Sequence, residues 1–162
     1  MKIPFAIAGA LAANAHGHRR TTEDVDLLLT PEGLAEFKEH KLGLGWVEKF
    51  SGSRGDVGNN VSIDVILTGD FPGDGKAKPI AFPHPQEVAD YDPEGLPFLN
   101  LKTLLELKTA SGMTAAHRMQ DLADVMNLIR VNNLSVDYAS NLHPFVREKF
   151  LELWQLAQIQ DD

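Results

Sequence analysis

The run DVDLLL, Asp24–Leu29, constrains the fold of this chain more than any other segment. Two aspartates alternate with apolar residues, and the run then continues into three leucines. This pattern predicts a β-strand, in which residues two apart point to the same face of a sheet. Asp24 and Asp26 therefore project side by side. The fold must accommodate two neighbouring carboxylates at one end of an apolar strand.

The segments around this strand predict alternating strands and helices. Residues 3–8 predict a short buried strand, which Gly9 separates from an alanine-rich segment with good helix propensity. Thr30 and Pro31 predict the N-cap and the first residue of a helix after the DVDLLL strand. The first third of the chain is therefore expected to combine strands and helices in one sheet-containing core.

Polar and proline-rich segments interrupt the middle of the chain. Residues 46–50 and 61–67 predict a strand pair, joined by the loose glycine-rich connection 51–60. The stretch 70–97 is rich in proline and glycine, which predicts an extended loop with short strand pieces. The sequence leaves open whether this loop gates a substrate or only wraps around the core.

The last part of the chain is helical. Apolar residues recur at helical spacing from Asn100 onward, and the final helix follows Pro144. Its buried stripe is expected to contain Val146, Phe150, Leu153, Trp154 and Ala157. We therefore predict an α/β fold of the mixed-sheet α+β kind. Residues 1–97 are expected to form the core with its sheet and loop, and residues 98–162 a helical part that packs on it.

Composition excludes some functions. The chain of 162 residues is long enough for its own hydrophobic core and contains no cysteine, which excludes disulfide and thiolate chemistry. A formal net charge of −8 disfavours nonspecific binding to nucleic acid. Apolar runs are too short to span a membrane and the start lacks the features of a secretory signal, so a soluble, cytoplasmic protein without a membrane partner is expected.

Three aspartates predict a metal site. Asp64 interrupts the apolar segment 61–67 in the same way that Asp24 and Asp26 interrupt theirs. Carboxylates near apolar strands are costly unless a cation compensates them. If the two strands are neighbours, the three carboxylates can converge on one or two Mg²⁺ ions, which prefer oxygen ligands and keep positions open for phosphates.

Residues near these aspartates predict phosphate binding. Gly9 follows the first strand and opens a helix, so the backbone can approach a triphosphate closely. Arg20 and Thr22 precede Asp24 and can add side-chain donors. His16 and His18 suggest zinc only weakly, because further ligands for a closed site are missing, and a structural role or a place lining the cleft is expected.

The run AGALAANAHGHRRTTEDVDLLLT resembles the signature of the nucleotidyltransferase superfamily, and most closely that of AbiEii-type and related minimal enzymes of toxin–antitoxin systems. The resemblance implies that Asp24, Asp26 and Asp64 bind Mg²⁺ and that Gly9, with Ala10 beside it, holds the nucleoside triphosphate. It also implies transfer of a nucleotidyl group to a hydroxyl with release of pyrophosphate. The acceptor expected from the resemblance is a tRNA end or a protein, with a cognate toxin or antitoxin as a possible partner.

A later segment extends the resemblance to the helical part. The family has a lysine on one helix and an Arg-x-Lys-Asp stretch on the next, which places Lys108, Arg118 and Asp121 beside the nucleotide. Asp121 and Asp124 can instead pair with Arg118 on one helix face, and for Asp124 this is the preferred interpretation. Ala10 replaces the family's second glycine or serine, and Gln120 replaces its lysine. The alternative function is therefore a catalytically silent module that binds a nucleotide or a partner.

Overall fold

The computed structural model describes residues 3–19, 21–22, 24–41, 46–50, 54–57 and 62–159, without the side chains of residues 41, 46–50 and 54–57. The chain folds into two compact units. The first, the sheet unit, contains residues 1–12, 20–70 and 82–100, and the second, the helical unit, contains residues 13–19, 71–81 and 101–162. The predicted division into residues 1–97 and 98–162 stays a prediction.

Seven strands are present in the part of the chain that the structure describes. They are β1 (Phe5–Ala8), β2 (Asp24–Leu29), β3 (Trp46–Phe50), β4 (Arg54–Val57), β5 (Ser62–Leu67), β6 (Ala89–Tyr91) and β7 (Pro97–Leu99). The helices are α1 (Gly9–Ala15), α2 (Pro31–Lys41), α3 (Leu101–Thr114), α4 (Met119–Val131) and α5 (Pro144–Ala157). Short 3₁₀ turns occur at Pro85–Glu87, Ala116–Arg118 and Val136–Asn141.

The strands form one mixed sheet in the order β3-β4-β5-β2-β1-β7-β6. The pairs β2–β5 and β1–β7 are parallel, and the remaining pairs are antiparallel. The central strands carry the apolar core of the sheet unit, which includes Ala6, Ala8, Leu28, Leu29, Ile63 and Leu99. The strand β2 is therefore an interior strand, with β1 on one side and β5 on the other, as its leucine run requires.

Most predicted elements of the sheet unit are confirmed. Strand β2 and the strand around residues 3–8 are present, and the amide of Gly33 donates to Thr30 Oγ1 at 2.9 Å, which confirms Thr30 as the N-cap of α2. The segments 46–50 and 61–67 do contain strands, but β4 lies between them in the sheet. Its sequence RGDV has little β-propensity, so its strand conformation depends on hydrogen bonds to both neighbours, which a local pattern does not reveal.

In the helical unit, helices α3, α4 and α5 enclose an apolar core. Phe150 is fully buried, and Val146, Leu153 and Ala157 of the predicted stripe are buried with it. Trp154 is only half-buried, and its Nε1 donates to the Leu134 carbonyl at 2.9 Å. Within the described residues, no helix combines the length and the apolar character needed to cross a membrane.

Candidate active site

The three predicted metal ligands share one face of the sheet. In the parallel pair β2–β5, Asp26 is the register partner of Asp64, and Asp24 is the partner of Ser62. Register partners point to the same face, and so do residues two apart on one strand. Because neighbouring strands are about 4.8 Å apart, the Asp26 and Asp64 side chains start side by side. The strand neighbourhood on which the predicted site depends is therefore present.

The donor set of this face suits Mg²⁺. Among the described residues, no three His, Asp or Glu side chains are grouped closely enough to hold one metal ion. Mg²⁺ commonly takes only one or two protein carboxylates and completes its octahedron with water and substrate phosphate. Asp26 and Asp64 provide two such carboxylates on adjacent strands. They fit a Mg²⁺ ion on this criterion, and the predicted contribution of Asp24 as a third ligand stays a prediction.

Gly9 has a clear structural reason to be glycine. It lies at the end of β1 with φ of +61°, in the left-handed region that side chains other than glycine rarely adopt. A Cβ atom on Gly9 would overlap Asp26 Oδ2 and would lie 2.8 Å from Asp26 Cγ. The space that a side chain would fill is therefore taken by the Asp26 carboxylate. The sequence predicted only that Gly9 leaves room for a triphosphate.

The segment before Asp24 is held locally. Thr22 Oγ1 donates to the Asp24 carbonyl at 3.2 Å and accepts from the Asp24 amide at 3.3 Å, so this hydroxyl stabilises the start of β2. Asp24 itself is exposed. Ala10 is buried in α1, and Arg20 lies outside the described residues. The nucleotide-binding roles of Thr22, Ala10 and Arg20 stay predictions.

The helical unit contains a buried network of charged side chains. Lys108 Nζ donates to Asp124 Oδ2 at 2.7 Å and to Asp121 Oδ1 at 3.3 Å. Asp124 is fully buried, and Lys108 and Asp121 are each less than a tenth exposed. Ser111 Oγ and Arg118 Nε both donate to Asp121 Oδ2, at 2.7 Å and 2.9 Å. Two carboxylates are thus matched by two cations, which is the condition for burying charge at acceptable cost.

Three residues of this network, Lys108, Arg118 and Asp121, were predicted to lie beside the nucleotide. Lys108 is buried between two carboxylates rather than extended on the surface of α3. Half of the Arg118 side chain is exposed, and its Nε pairs with Asp121 Oδ2. Their roles at a nucleotide stay predictions. Within the helical unit, Lys108 is the centre of an ion-pair network and Arg118 is its partly exposed edge.

Sequence reasoning missed the role of Asp124. The preferred partner was Arg118, whereas Asp124 Oδ1 accepts from His18 Nε2 at 3.1 Å and from Gln120 Nε2 at 2.9 Å. A signal for burial was present, because Asp124 and Leu128 are four residues apart on one face of α4, and so are Leu104 and Lys108 on α3. Charged residues at the positions of an apolar stripe indicate a paired, buried charge.

The sheet order, the carboxylate face and the C-terminal helices define a protein with the nucleotidyltransferase fold. The crystal structure of ANT(2'')-Ia in complex with adenylyl-2''-tobramycin, an aminoglycoside nucleotidyltransferase, is similar to this chain with a TM-score of 0.57 and 16% identity, over 93% of this chain and 88% of that chain. The solution structure of the antibiotic-resistance factor ANT(2'')-Ia gives a TM-score of 0.42 and 18% identity, over 96% and 73%.

No protein-family model matches the chain, and no curated protein matches it by sequence. At 16% identity, the likeness to the crystal structure concerns the fold. It confirms the predicted α+β fold, which the chain shares with that nucleotidyltransferase structure. The AbiEii-type subgroup stays a prediction.

Proposed function

We propose that the protein is a Mg²⁺-dependent nucleotidyltransferase that moves a nucleotidyl group from a nucleoside triphosphate to a hydroxyl. The observation that carries this proposal is the pairing of Asp26 with Asp64 across β2 and β5, with Asp24 on the same face. Gly9 supports it, because this glycine leaves room for the Asp26 carboxylate beside the turn from β1 into α1. The nucleotidyltransferase fold of the solved ANT(2'')-Ia structure is consistent with the same reaction class.

In this proposal, Asp26 and Asp64 hold the metal and Asp24 assists them. Bound Mg²⁺ would neutralise charge on the triphosphate and orient it for displacement of pyrophosphate. Asp64 would also accept the proton of the attacking hydroxyl when the acceptor reaches hydrogen-bond distance. Gly9, Ala10, Arg20 and Thr22 would contact the phosphates through backbone and side-chain donors.

The two basic residues of the helical network, Lys108 and Arg118, differ in exposure and in pairing. Arg118 pairs with Asp121 through its Nε, and about half of its side chain is exposed, 52% by area. Lys108 would contact a nucleotide only by giving up one of its two carboxylates, which leaves a buried charge without its partner. Nucleotide contacts by Arg118 and Lys108 stay predictions of the resemblance, and Lys108 acts within the helical unit mainly as the partner of its two carboxylates.

For the acceptor, we propose a polycationic small molecule with a free hydroxyl. The similar crystal structure of ANT(2'')-Ia contains an adenylylated aminoglycoside, adenylyl-2''-tobramycin. A net charge of −8 attracts a polycation and repels a polyanion such as tRNA. A tRNA end or a protein hydroxyl, the acceptors expected for an AbiEii-type enzyme in a toxin–antitoxin system, are tested beside it.

The test is a pyrophosphate-release assay with each nucleoside triphosphate, Mg²⁺ and three acceptors: tobramycin, tRNA and an unfolded model protein. We expect release with tobramycin that stops when the metal is chelated. Asp26→Asn should lower the rate by about 100-fold, because it removes one of two metal-holding carboxylates. Asp90→Asn is the matched control, since Asp90 is an exposed strand aspartate on β6 and should leave the rate unchanged.

The alternative, a silent nucleotide-binding module, has its own signature. A triphosphate with Mg²⁺ would then raise the thermal unfolding midpoint, as any ligand of the native state does, without pyrophosphate release from any acceptor. Absence of both binding and turnover would refute the proposed function. Pyrophosphate release with tRNA or the model protein, but not with tobramycin, would support the acceptors expected for a toxin–antitoxin enzyme.

A further inference from the structure

Strand β4 continues the face of the sheet that carries the candidate metal ligands. Asp64 of β5 has two register partners, Asp26 in β2 on one side and Arg54 in β4 on the other. Directly opposed residues of neighbouring strands lie on the same face of a sheet. All three strands belong to the sheet unit. Asp26, Asp64 and Arg54 therefore form one row across this unit.

A second row lies beside the first, toward the start of β2. Ser62 of β5 is the register partner of Asp24 in β2 and of Asp56 in β4. Because residues two apart on a strand share a face, the second row lies on the same face as the first. Across β2, β5 and β4, the two rows contain four aspartates and one arginine. The charge of this face is therefore predominantly negative, with Arg54 as its basic residue.

Basic residues are rare in the strands that the structure describes. These strands contain two of them, Lys49 in β3 and Arg54 in β4. The register partner of Arg54 in β3 is Phe50, and the pairing is irregular between Glu48 and Phe50, where Lys49 lies. Among the basic residues of the described strands, Arg54 is therefore the one with a register position in the row of candidate metal ligands.

A face of carboxylates attracts a metal ion but repels a triphosphate. The charge of a Mg²⁺ ion held by Asp26 and Asp64 is offset by these two ligands, so the charge of the phosphates must be met by other donors. Arginine suits this task, because its planar guanidinium forms two parallel hydrogen bonds with a phosphate and keeps its charge at any physiological pH. The place of Arg54 in the metal-ligand row therefore matches a need that the carboxylates create.

We infer that the guanidinium of Arg54 binds the phosphates of the nucleoside triphosphate, beside the metal held by Asp26 and Asp64. This inference rests on the proposed function. In the absence of nucleotide, the same positive charge offsets part of the negative charge of the face. Arg54 thus weakens the binding of a metal ion alone and strengthens the binding of the metal together with a triphosphate. A residue that only stabilised the sheet would not have these opposite effects.

The first measurement is the affinity for inorganic triphosphate with Mg²⁺, by isothermal titration calorimetry. Inorganic triphosphate shares its phosphates with every nucleoside triphosphate and requires no acceptor. We expect Arg54→Met to weaken its binding by about tenfold, because a charge-assisted bidentate contact is lost. The matched control is Lys102→Met, which removes the same charge from a half-exposed side chain of α3 and should leave the affinity unchanged. Equal affinities in Arg54→Met and the wild-type protein overturn the inference.

The second measurement is binding of Mn²⁺ without any phosphate, followed by electron paramagnetic resonance, with Mn²⁺ standing in for Mg²⁺ at oxygen ligands. We expect Arg54→Met to tighten Mn²⁺ binding by about threefold at low salt, because a neighbouring positive charge is removed. Weaker binding of both Mn²⁺ and triphosphate overturns the inference, since it indicates a structural role. Tighter Mn²⁺ binding with unchanged triphosphate binding also overturns it, because Arg54 would then only offset the carboxylates.

A conservative variant tests the guanidinium itself. Arg54→Lys keeps the positive charge but loses the planar fork, and it decides the question if the thermal midpoint of Arg54→Met shows that this variant does not fold. We expect Arg54→Lys to weaken triphosphate binding by about threefold and to keep Mn²⁺ affinity within about twofold of the wild-type value. Triphosphate affinity equal to that of the wild-type protein overturns the assignment to the guanidinium.

Failure of this inference is distinguishable from failure of the proposed function. Wild-type protein that binds neither Mn²⁺ nor triphosphate overturns both, and this result appears before any variant is made. Wild-type protein that binds both ligands, with Mn²⁺ binding lost in Asp26→Asn, supports the proposed function. The variants of Arg54 then decide the inference alone.

Discussion

The aspartates of the sheet unit and those of the helical unit differ in how their charge is balanced. In the helical unit, Asp121 and Asp124 are buried among cations of the same unit, Lys108 and Arg118. In the sheet unit, the register of two parallel strands sets Asp26 directly beside Asp64, so each carboxylate adds negative charge next to the other. The helical carboxylates are therefore buried and paired within their own unit, whereas the sheet carboxylates are partly exposed neighbours on one face, where a bound cation would contact both.

This difference distinguishes a structural cluster from a candidate catalytic one. Removing a charge from the helical cluster should destabilise the protein, because a buried partner is left behind. Removing a charge from the sheet face should change stability little and function greatly. Asp124→Asn is therefore unsuitable as a control for substitutions of Asp24 and Asp26, because Asp124 is fully buried.

The largest expected effect is the loss of the central cation of the helical cluster. Lys108→Met leaves Asp121 and Asp124 buried without their shared ammonium, which should lower the free energy of unfolding by about 3–5 kcal/mol. Lys102→Met, on the exposed side of α3 where Lys102 pairs with Glu106, should cost less than about 1 kcal/mol. Urea titration of both variants measures the difference, and equal losses would remove the contrast between buried and exposed pairs.

The second prediction compares the stability effects of replacing one aspartate in each unit. Asp124→Asn should lower the free energy of unfolding by about 3 kcal/mol, whereas Asp26→Asn should change it by less than about 1 kcal/mol because Asp26 is only partly buried. Thermal and urea unfolding without added metal provide the values. A loss for Asp26→Asn as large as that for Asp124→Asn would show that both clusters are structural.

A third comparison uses two glycines with similar backbone conformation. Gly9 and Gly75 have φ of +61° and +75°, but a Cβ on Gly75 would meet no atom within 4 Å. Gly75→Ala should therefore cost only the backbone term, about 1–2 kcal/mol, and Gly9→Ala should cost more because it displaces the Asp26 carboxylate. Unfolding free energies and Mn²⁺ affinity test this, and equal costs with unchanged affinity would contradict the packing of Asp26 against Gly9.

The smallest effect concerns the loop of residues 71–81. Lys78 Nζ donates to Asp74 Oδ1 at 2.7 Å, and this bond, with the Lys76 amide, holds the pKa of the Asp74 carboxyl below its ordinary value. The contribution of this bond to the free energy of unfolding is therefore fully present above the pKa of Asp74 in the unfolded chain, about 3.9. It is lost as the pH falls through the lowered pKa of Asp74 in the folded protein. In an NMR titration, Lys78→Met should raise the Asp74 pKa, whereas Lys76→Met should leave most of the shift. An unchanged pKa in Lys78→Met would contradict the assigned cause.

The loop also illustrates what the sequence left open. Proline and glycine predicted an extended segment but could not decide between a gate and an arm. Lys78 Nζ also donates to the Pro72 carbonyl at 2.8 Å and to the Lys76 carbonyl at 2.6 Å, and its side chain is almost fully buried. These bonds join residues of the loop to one another. No pattern in the sequence indicates that contact, because it depends on how the backbone folds over the lysine.

The sequence by itself determined which residues form the central strands and helices, because those elements follow from apolar periodicity and from caps such as Thr30. It also determined that Asp24 and Asp26 share a face, since a strand repeats every two residues. Only the tertiary structure decided that Asp26 lies beside Asp64 and that the Asp26 carboxylate fills the space next to Gly9. It also decided that Asp124 forms hydrogen bonds with Lys108 and His18. These pairings join residues far apart in the chain, and their energies depend on burial and register rather than on local pattern.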